Sequence, residues 1–203
     1  MAGGRKKEFD KQDALVEAMK VFWKKGYLGA SLTDLIQAMG INKPSLYATF
    51  GNKEQLFLQV TDYYLTQIAT PPDSFLLDET LTQKQILKSY IMAKIENQCR
   101  DDTPRGCFIS YCATEGKGDN LPEIAKLCIE NAGKEAYTVL LTFFQKQESQ
   151  ANKAQQTNSI SPEDKTMAVF TLLQGTATMA RLNANPDDFE SMVDMLLKGM
   201  DLD

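Results

Sequence analysis

Wherever the apolar residues of this chain recur at a regular interval, the interval is that of a helix. No stretch alternates apolar and polar residues as a half-buried strand would. The fold class that follows is all-α. Leu15, Ala18, Met19 and Phe22 share one face of a segment that Asp10 can cap and Gly26 can stop near Lys25. Ser31 with Asp34 has the pattern of a capping box ahead of Leu32, Leu35, Ile36 and Met39, and Gly40 ends that short helix. Asn42 can cap a third helix that tolerates Pro44 in its first turn and ends at Phe50-Gly51. Asn52 with Gln55 opens a fourth, through Tyr64 to Ile68.

After the Thr70-Pro71-Pro72-Asp73 loop, a helix is predicted from Thr82 to Arg100, then a short apolar stretch from Gly106 to Thr114. Asn120 and Glu123 open a long helix striped by Ile124, Leu127, Leu140, Phe143 and Phe144. The Gln-rich residues 145–161 read as a fraying helix end and a loop. Ser161-Pro162 starts a helix reaching Asn183, and Asn185-Pro186 starts the last, striped by Phe189, Met192, Val193, Leu196, Leu197 and Met200. The chain holds about nine helices on this reading, with no internal repeat.

Its 203 residues, 43% of them hydrophobic and 24% charged, suffice to bury a core and exclude wholesale disorder. No apolar run reaches the length of about 18 residues that a membrane span needs. The start, MAGGRKKEFD, carries basic residues with no apolar stretch behind them, so no secretory signal and a cytoplasmic location are expected. Histidine is absent, which removes histidine triads, histidine general bases and histidine-containing metal sites. The four cysteines, at 99, 107, 112 and 128, include no CxxC pair and are expected to stay reduced. Neither a metal nor a cofactor is implied.

Charge is unevenly spread. Residues 1–55 hold nine Lys and Arg against six Asp and Glu, whereas the rest of the chain is acidic and the whole carries −5. A basic head on an acidic body directs the head alone to a polyanion. Within that head, SLTDLIQAMGINKPSLYATF from Ser31 to Phe50 reads as helix, tight turn and helix. Leu35, Ile36, Met39, Ile41, Leu46 and Phe50 can lock the two helices together, and Gly40 lets the chain turn. Asn42, Lys43, Ser45, Tyr47 and Thr49 are left outward, able to bond phosphates or base edges. Tyr47 could fill the core instead, but Leu46 and Phe50 already occupy the inward face.

Residues 5–57, including the Tyr-x-x-Phe-x-x-Lys pattern at Tyr47, Phe50 and Lys53, resemble the DNA-binding head of TetR-family transcriptional repressors. The resemblance implies a recognition helix carrying Lys43, Ser45 and Tyr47, with Tyr47 and Lys53 mostly on phosphate and Thr33 on the backbone from the preceding helix. Arg5, Lys6 and Lys7 resemble the family's basic arm, though they could equally be a solubilising tail. It further implies a DNA-binding domain over residues 1–55 and a ligand-binding and dimerisation domain over 56–203. The expected partners are double-stranded DNA bearing a palindromic operator, a second copy of the chain and a small-molecule inducer of unknown identity; no membrane is expected.

For the inducer, Tyr90, Cys107, Tyr111, Phe143, Phe144, Phe170 and Gln174 are candidate lining, with core packing as the plainer alternative. Arg105, two residues before Cys107, could activate that thiol toward an electrophile or oxidant, with Cys112 as a second thiol. Three other readings stay open. A helix-turn-helix regulator could answer to a protein partner or to nothing. An adaptor could bind only protein. An enzyme is disfavoured, because no carboxylate pair or nucleophile–base motif stands out.

Overall fold

The computed structural model describes residues 9–115, 121–150, 160–200 and 202. Nine α-helices fill the described residues, with one π-helical turn, two 3₁₀ segments and no strand. They are α1 (Lys11–Gly29), α2 (Leu32–Met39), α3 (Lys43–Phe50), α4 (Lys53–Tyr64), α5 (Gln83–Cys99), α6 (Phe108–Glu115), α7 (Glu123–Gln150), α8 (Pro162–Arg181) and α9 (Glu190–Gly199).

The helix starts follow local chemistry. Asp10 accepts from the amides of Gln12 and Asp13, and Ser161 accepts from the amide of Asp164. Ser31, Asn52 and Thr82 each close a reciprocal box with the residue three positions on. Elsewhere the boundaries depart from expectation. α1 does not stop at Lys25; it kinks at Gly26 (φ 73°, ψ 178°) and resumes to Gly29. α4 passes into a π turn over Leu65–Ala69, then a 3₁₀ segment over Pro71–Leu77. α7 continues to Gln150 through residues expected to fray, since Gln, Lys and Glu are all good helix formers. The final helix is split into a 3₁₀ turn, Pro186–Phe189, and α9. Asn120, expected to open α7, and Arg5, Lys6 and Lys7 lie outside the described residues.

Among the described residues two apolar cores form. The first gathers α1 to α4, α6 and the start of α7 around Phe22, Trp23, Leu46, Phe57, Tyr64 and Phe108. Its rings meet edge to face: Trp23 and Tyr64 centroids lie 5.0 Å apart, and Tyr64 and Phe108 5.3 Å. The second gathers α5, the later part of α7, α8 and α9 around Leu87, Ile91, Ile95, Phe144, Val169 and Val193. α7 serves both, giving Ala125, Ile129 and Ala132 to the first and Leu140, Phe143 and Phe144 to the second. No described helix is long and apolar enough to cross a membrane.

Candidate nucleic-acid interface

α2 and α3 are joined by a turn at Gly40, which sits in the left-handed region (φ 64°). Its amide donates to the Gln37 carbonyl at 3.3 Å, and the Ile41 amide to the Ile36 carbonyl at 3.3 Å, so the last carbonyls of α2 are satisfied. Leu35, Met39, Ile41, Leu46 and Phe50 are all buried and set the angle between the two helices. At the start of α2, Lys25 lies 2.6 Å from Asp34. Hydrogen bonds from Lys25 and from Ser31 bring the Asp34 carboxyl down to about 2.

With Leu46 and Phe50 inward, the opposite side of α3 is left open. Lys43 and Tyr47 stand one helical turn apart, both exposed, and Tyr47 keeps 44% of its surface. Asn42 and Thr33 are exposed, while Ser45 and Thr49 are half-buried. Asn42 has a structural task as well: its side chain accepts the Ser45 amide at 2.9 Å and starts the helix.

Lys53 opens α4 and is half-buried, its ammonium 4.4 Å from the centre of the Tyr27 ring. Burial lowers its pKa, and the nearby Glu115 charge opposes that shift. Lys11 adds a cation that the motif did not single out, 5.7 Å from the Phe50 ring at the end of α3. None of the described His, Cys, Asp and Glu residues cluster as a metal site.

Within the body, a cavity of about 110 Å³ opens between the π turn, α5, α7 and α8. Tyr90, Cys107, Phe170 and Gln174 line it. Tyr111, Phe143 and Phe144 do not. Tyr111 instead lies under the Arg181 guanidinium, 3.7 Å from ring centre to Cζ, and the two phenylalanines pack in the second core with centroids 5.3 Å apart. One turn of helix separates them from Leu140, which does reach the cavity, because α7 changes surroundings along its length.

Five polar lining residues are not marked by the sequence pattern: Tyr64, Lys94, Asn97, Gln98 and Ser110. The side-chain partners of the first four lie 21 to 78 residues away along the chain, so no local pattern marks them. Lys94 pairs with Asp73 at 2.6 Å and donates to the Ala69 carbonyl. Asn97 donates to the Ile68 carbonyl at 3.0 Å, so α5 holds the π turn open. Gln98 accepts from Thr176 at 2.7 Å and donates to the Leu173 carbonyl at 3.1 Å.

The Cys107 sulfur accepts from the Tyr64 hydroxyl at 3.4 Å and from the Ser110 amide at 3.5 Å. Arg105, expected to activate it, spends its guanidinium on Asp101 and on the Ala184 carbonyl. Burial pushes the Cys99, Cys112 and Cys128 thiols up, Cys112 furthest.

A second, wider groove of about 860 Å³ runs along α8 and α9. Leu172, Gly175, Met179, Met192, Met195 and Leu196 are among its lining. Met179 and Met195 expose 48% and 70% of their surfaces there.

Residues 14–60 match the family model of bacterial regulatory proteins, tetR family. The head is that of a TetR-family regulator. Among curated relatives, the HTH-type transcriptional repressor ComR of Escherichia coli K12 is 43% identical over 112 residues, which cover 55% of this chain and 53% of ComR. The regulator YezE of Bacillus subtilis 168 is 48% identical over 62 residues, 30% of this chain and 32% of YezE. The chain thus spans about half the length of ComR and about a third of YezE. Likeness to a solved TetR-family structure runs much further. A cysteine mutant of the regulator CifR, complexed with a 26-bp double-strand operator DNA, superposes with a TM-score of 0.83 at 28% identity. That match covers 96% of this chain and 98% of CifR.

Proposed function

We propose that this TetR-type chain is a homodimeric, sequence-specific transcriptional repressor that acts in the cytoplasm and is released from a palindromic operator by a signal sensed in its body. The observation that carries the reading is the helix-turn-helix itself: a fully packed inner face and an outer face on which Lys43 and Tyr47 stand free. CifR, alike over nearly its whole length, was captured on operator DNA. Residues 1–55 read the DNA and residues 56–203 pair and sense. Lys43, Ser45 and Tyr47 are the contacts of the recognition helix in the major groove, Tyr47 and Lys53 mostly on phosphate; Thr33 meets the backbone from α2, and Asn42 and Thr49 bond phosphates or base edges.

Dimerisation uses the open apolar groove along α8 and α9. Two copies pair their exposed methionines there in a two-fold, four-helix interface. That symmetry spaces the recognition helices by about 34 Å, or a multiple of it, and calls for a pseudo-palindromic site. The signal is a small molecule or electrophile that enters the cavity at Cys107. It weakens operator binding by the same factor by which the operator weakens its own binding.

Selection of bound sequences from random duplex DNA, followed by a salt titration on the winner, tests the reading. One palindrome whose affinity falls steeply with salt is the expected result. Recovery of no site, even after the protein is unfolded and refolded to strip any inducer, overturns it. Full response to the natural inducer in Cys107→Ser would remove the electrophile from the scheme.

A second reading has one observation in its favour. The cavity is smaller than the roughly 300–1,000 Å³ of ordinary ligand sites. A regulator without a small-molecule ligand, governed by a protein partner or acting constitutively, would keep the same head and dimer. A soak with small apolar compounds that leaves operator affinity unmoved would favour it.

A further inference from the structure

The end of α1 in the head is held by two side chains of the body. At Gly26 the backbone leaves the helical region, and two amides beyond it turn to Glu115 at the tip of α6. The Tyr27 amide donates to Oε2 at 2.6 Å, and the Leu28 amide to Oε1 at 3.0 Å. In an unbroken helix the Tyr27 amide would bond the Trp23 carbonyl. Here that carbonyl accepts instead from Arg181 at the end of α8, at 3.2 Å. Opposite charges thus meet opposite ends of the broken turn: a carboxylate on free amides, a guanidinium on a free carbonyl.

Arg181 is itself stacked on Tyr111 of α6. Cys107, Tyr111 and Glu115 follow at intervals of four residues, so they lie along one side of α6 and its approach. The first lines the cavity, the second braces Arg181 and the third grips the head.

We propose that Glu115 and Arg181 are positioning residues for the DNA-binding head, and that α6 carries the state of the cavity to them. The proposal rests on the reading that the head binds an operator and the body senses a signal. The mechanical case is short. The approach to α6 cannot retreat toward α8: a Cβ on Gly106 (φ 92°) would stand 2.7 Å from the Ala177 carbonyl oxygen. The Gly106 amide is also bonded to the Gln98 carbonyl at 2.7 Å. A group filling the cavity beside Cys107 therefore moves α6 itself. That helix is about 12 Å long at its ordinary rise, and a short rigid rod moves as one piece. A shift of about one ångström at Glu115 takes a good hydrogen bond out of range. The head is then free to turn on α4, whose Tyr64 hydroxyl is bonded to the Cys107 sulfur.

The experiment is amide hydrogen exchange at Tyr27 and Leu28 in the full-length protein without DNA. Cys107→Phe places a ring in the cavity in the absence of any ligand, and Gly133→Leu does so from α7, where an added Cβ meets nothing within 4 Å. Protection of Leu35 and Leu46 reports that the head is folded; if Cys107→Phe loses it, Gly133→Leu decides alone. Expected is a rise of about tenfold or more in exchange at Tyr27 and Leu28, equivalent to the weaker end of typical allosteric coupling. In Glu115→Ala, exchange is already fast and filling the cavity adds little. Arg181→Lys, which keeps the charge but not the stack, gives part of the effect.

Unchanged protection at Tyr27 and Leu28 with the cavity filled overturns the proposal, as does a full additional response in Glu115→Ala. Operator affinity is read separately on the selected site. If the filled variant also loses about 5-fold or more there, the coupling reaches DNA. If exchange responds but operator affinity is unmoved, the clamp does not position the head for DNA and the proposal fails. If the wild-type chain selects no operator at all, the DNA-binding reading is what has failed, and the proposed role of the clamp falls with it.

Discussion

Replacing Gly26 by alanine should cost about 4 kcal/mol, of which half should vanish when Glu115 is removed first. Gly26 lies at φ 73° and ψ 178°, a region essentially reserved for glycine, and forcing another residue there costs about 1–3 kcal/mol. The added Cβ would also stand 2.4 Å from the Glu115 carboxylate. That carboxylate ends a flexible side chain and can swing away, but it then forfeits two amide hydrogen bonds. The part-buried bond to Tyr27 is worth about 1.5 kcal/mol, as bonds to charged groups are, and the exposed one to Leu28 about 0.5. In Glu115→Ala those bonds are already gone, so Gly26→Ala should there cost only the backbone strain of about 2 kcal/mol. Urea unfolding of the four variants at one fixed protein concentration gives the cycle, provided the slopes agree. A cost below about 1 kcal/mol would show that the backbone at 26 is not strained for alanine. Equal costs in the two backgrounds would show that the Glu115 contact is not what the methyl disturbs.

Lys53→Ala should weaken operator binding and lower the slope of log affinity against log salt by about one, because its ammonium rests on a phosphate, and Tyr47→Ala, which removes no charge, should weaken binding with little change in slope; titration at several salt concentrations distinguishes them. Met195→Glu puts a charge on the most exposed methionine of the α8–α9 groove. Sedimentation should then find monomers, and operator binding should be lost with the dimer. Tyr27 is held by burial, and by the Glu54 charge, at a pKa of about 12, and burial raises Tyr64 and Tyr90 as well. The folded state keeps these protons where the unfolded chain releases them near 10, so stability falls as pH rises from about 10 toward 12. Phenolate absorbance followed with pH should therefore contain a late step that coincides with loss of helical circular dichroism.

Much of the fold can be read from local order because helix starts are made within one turn. Asp10, Ser31, Asn42, Asn52, Thr82 and Ser161 each meet an amide two or three residues on, and those pairs are adjacent in the chain. The helix-turn-helix is legible for the same reason: Leu35, Gly40, Leu46 and Phe50 lie within sixteen residues, and their spacing alone sets an inner and an outer face. The TetR-family match over residues 14–60 falls on that stretch.

The interior of the body is different. The sequence singles out Cys107 for a cation two residues away, yet the groups at its sulfur are Tyr64, from 43 positions earlier, and the Ser110 amide in the first turn of α6. Tyr111, Phe143 and Phe144 show the same limit, for a helical stripe says that a residue faces inward without saying into which of two cores or a cavity. No local pattern distinguishes Glu115, because its partners lie 87 and 88 residues away. Hydrophobic periodicity and capping are short-range chemistry, so the residue order determined the helices, their ends and the open face of the head. Which side chains meet across the body depends on how long helices cross, a matter of packing among distant segments, and that decided the cavity, its polar lining and the clamp on the head.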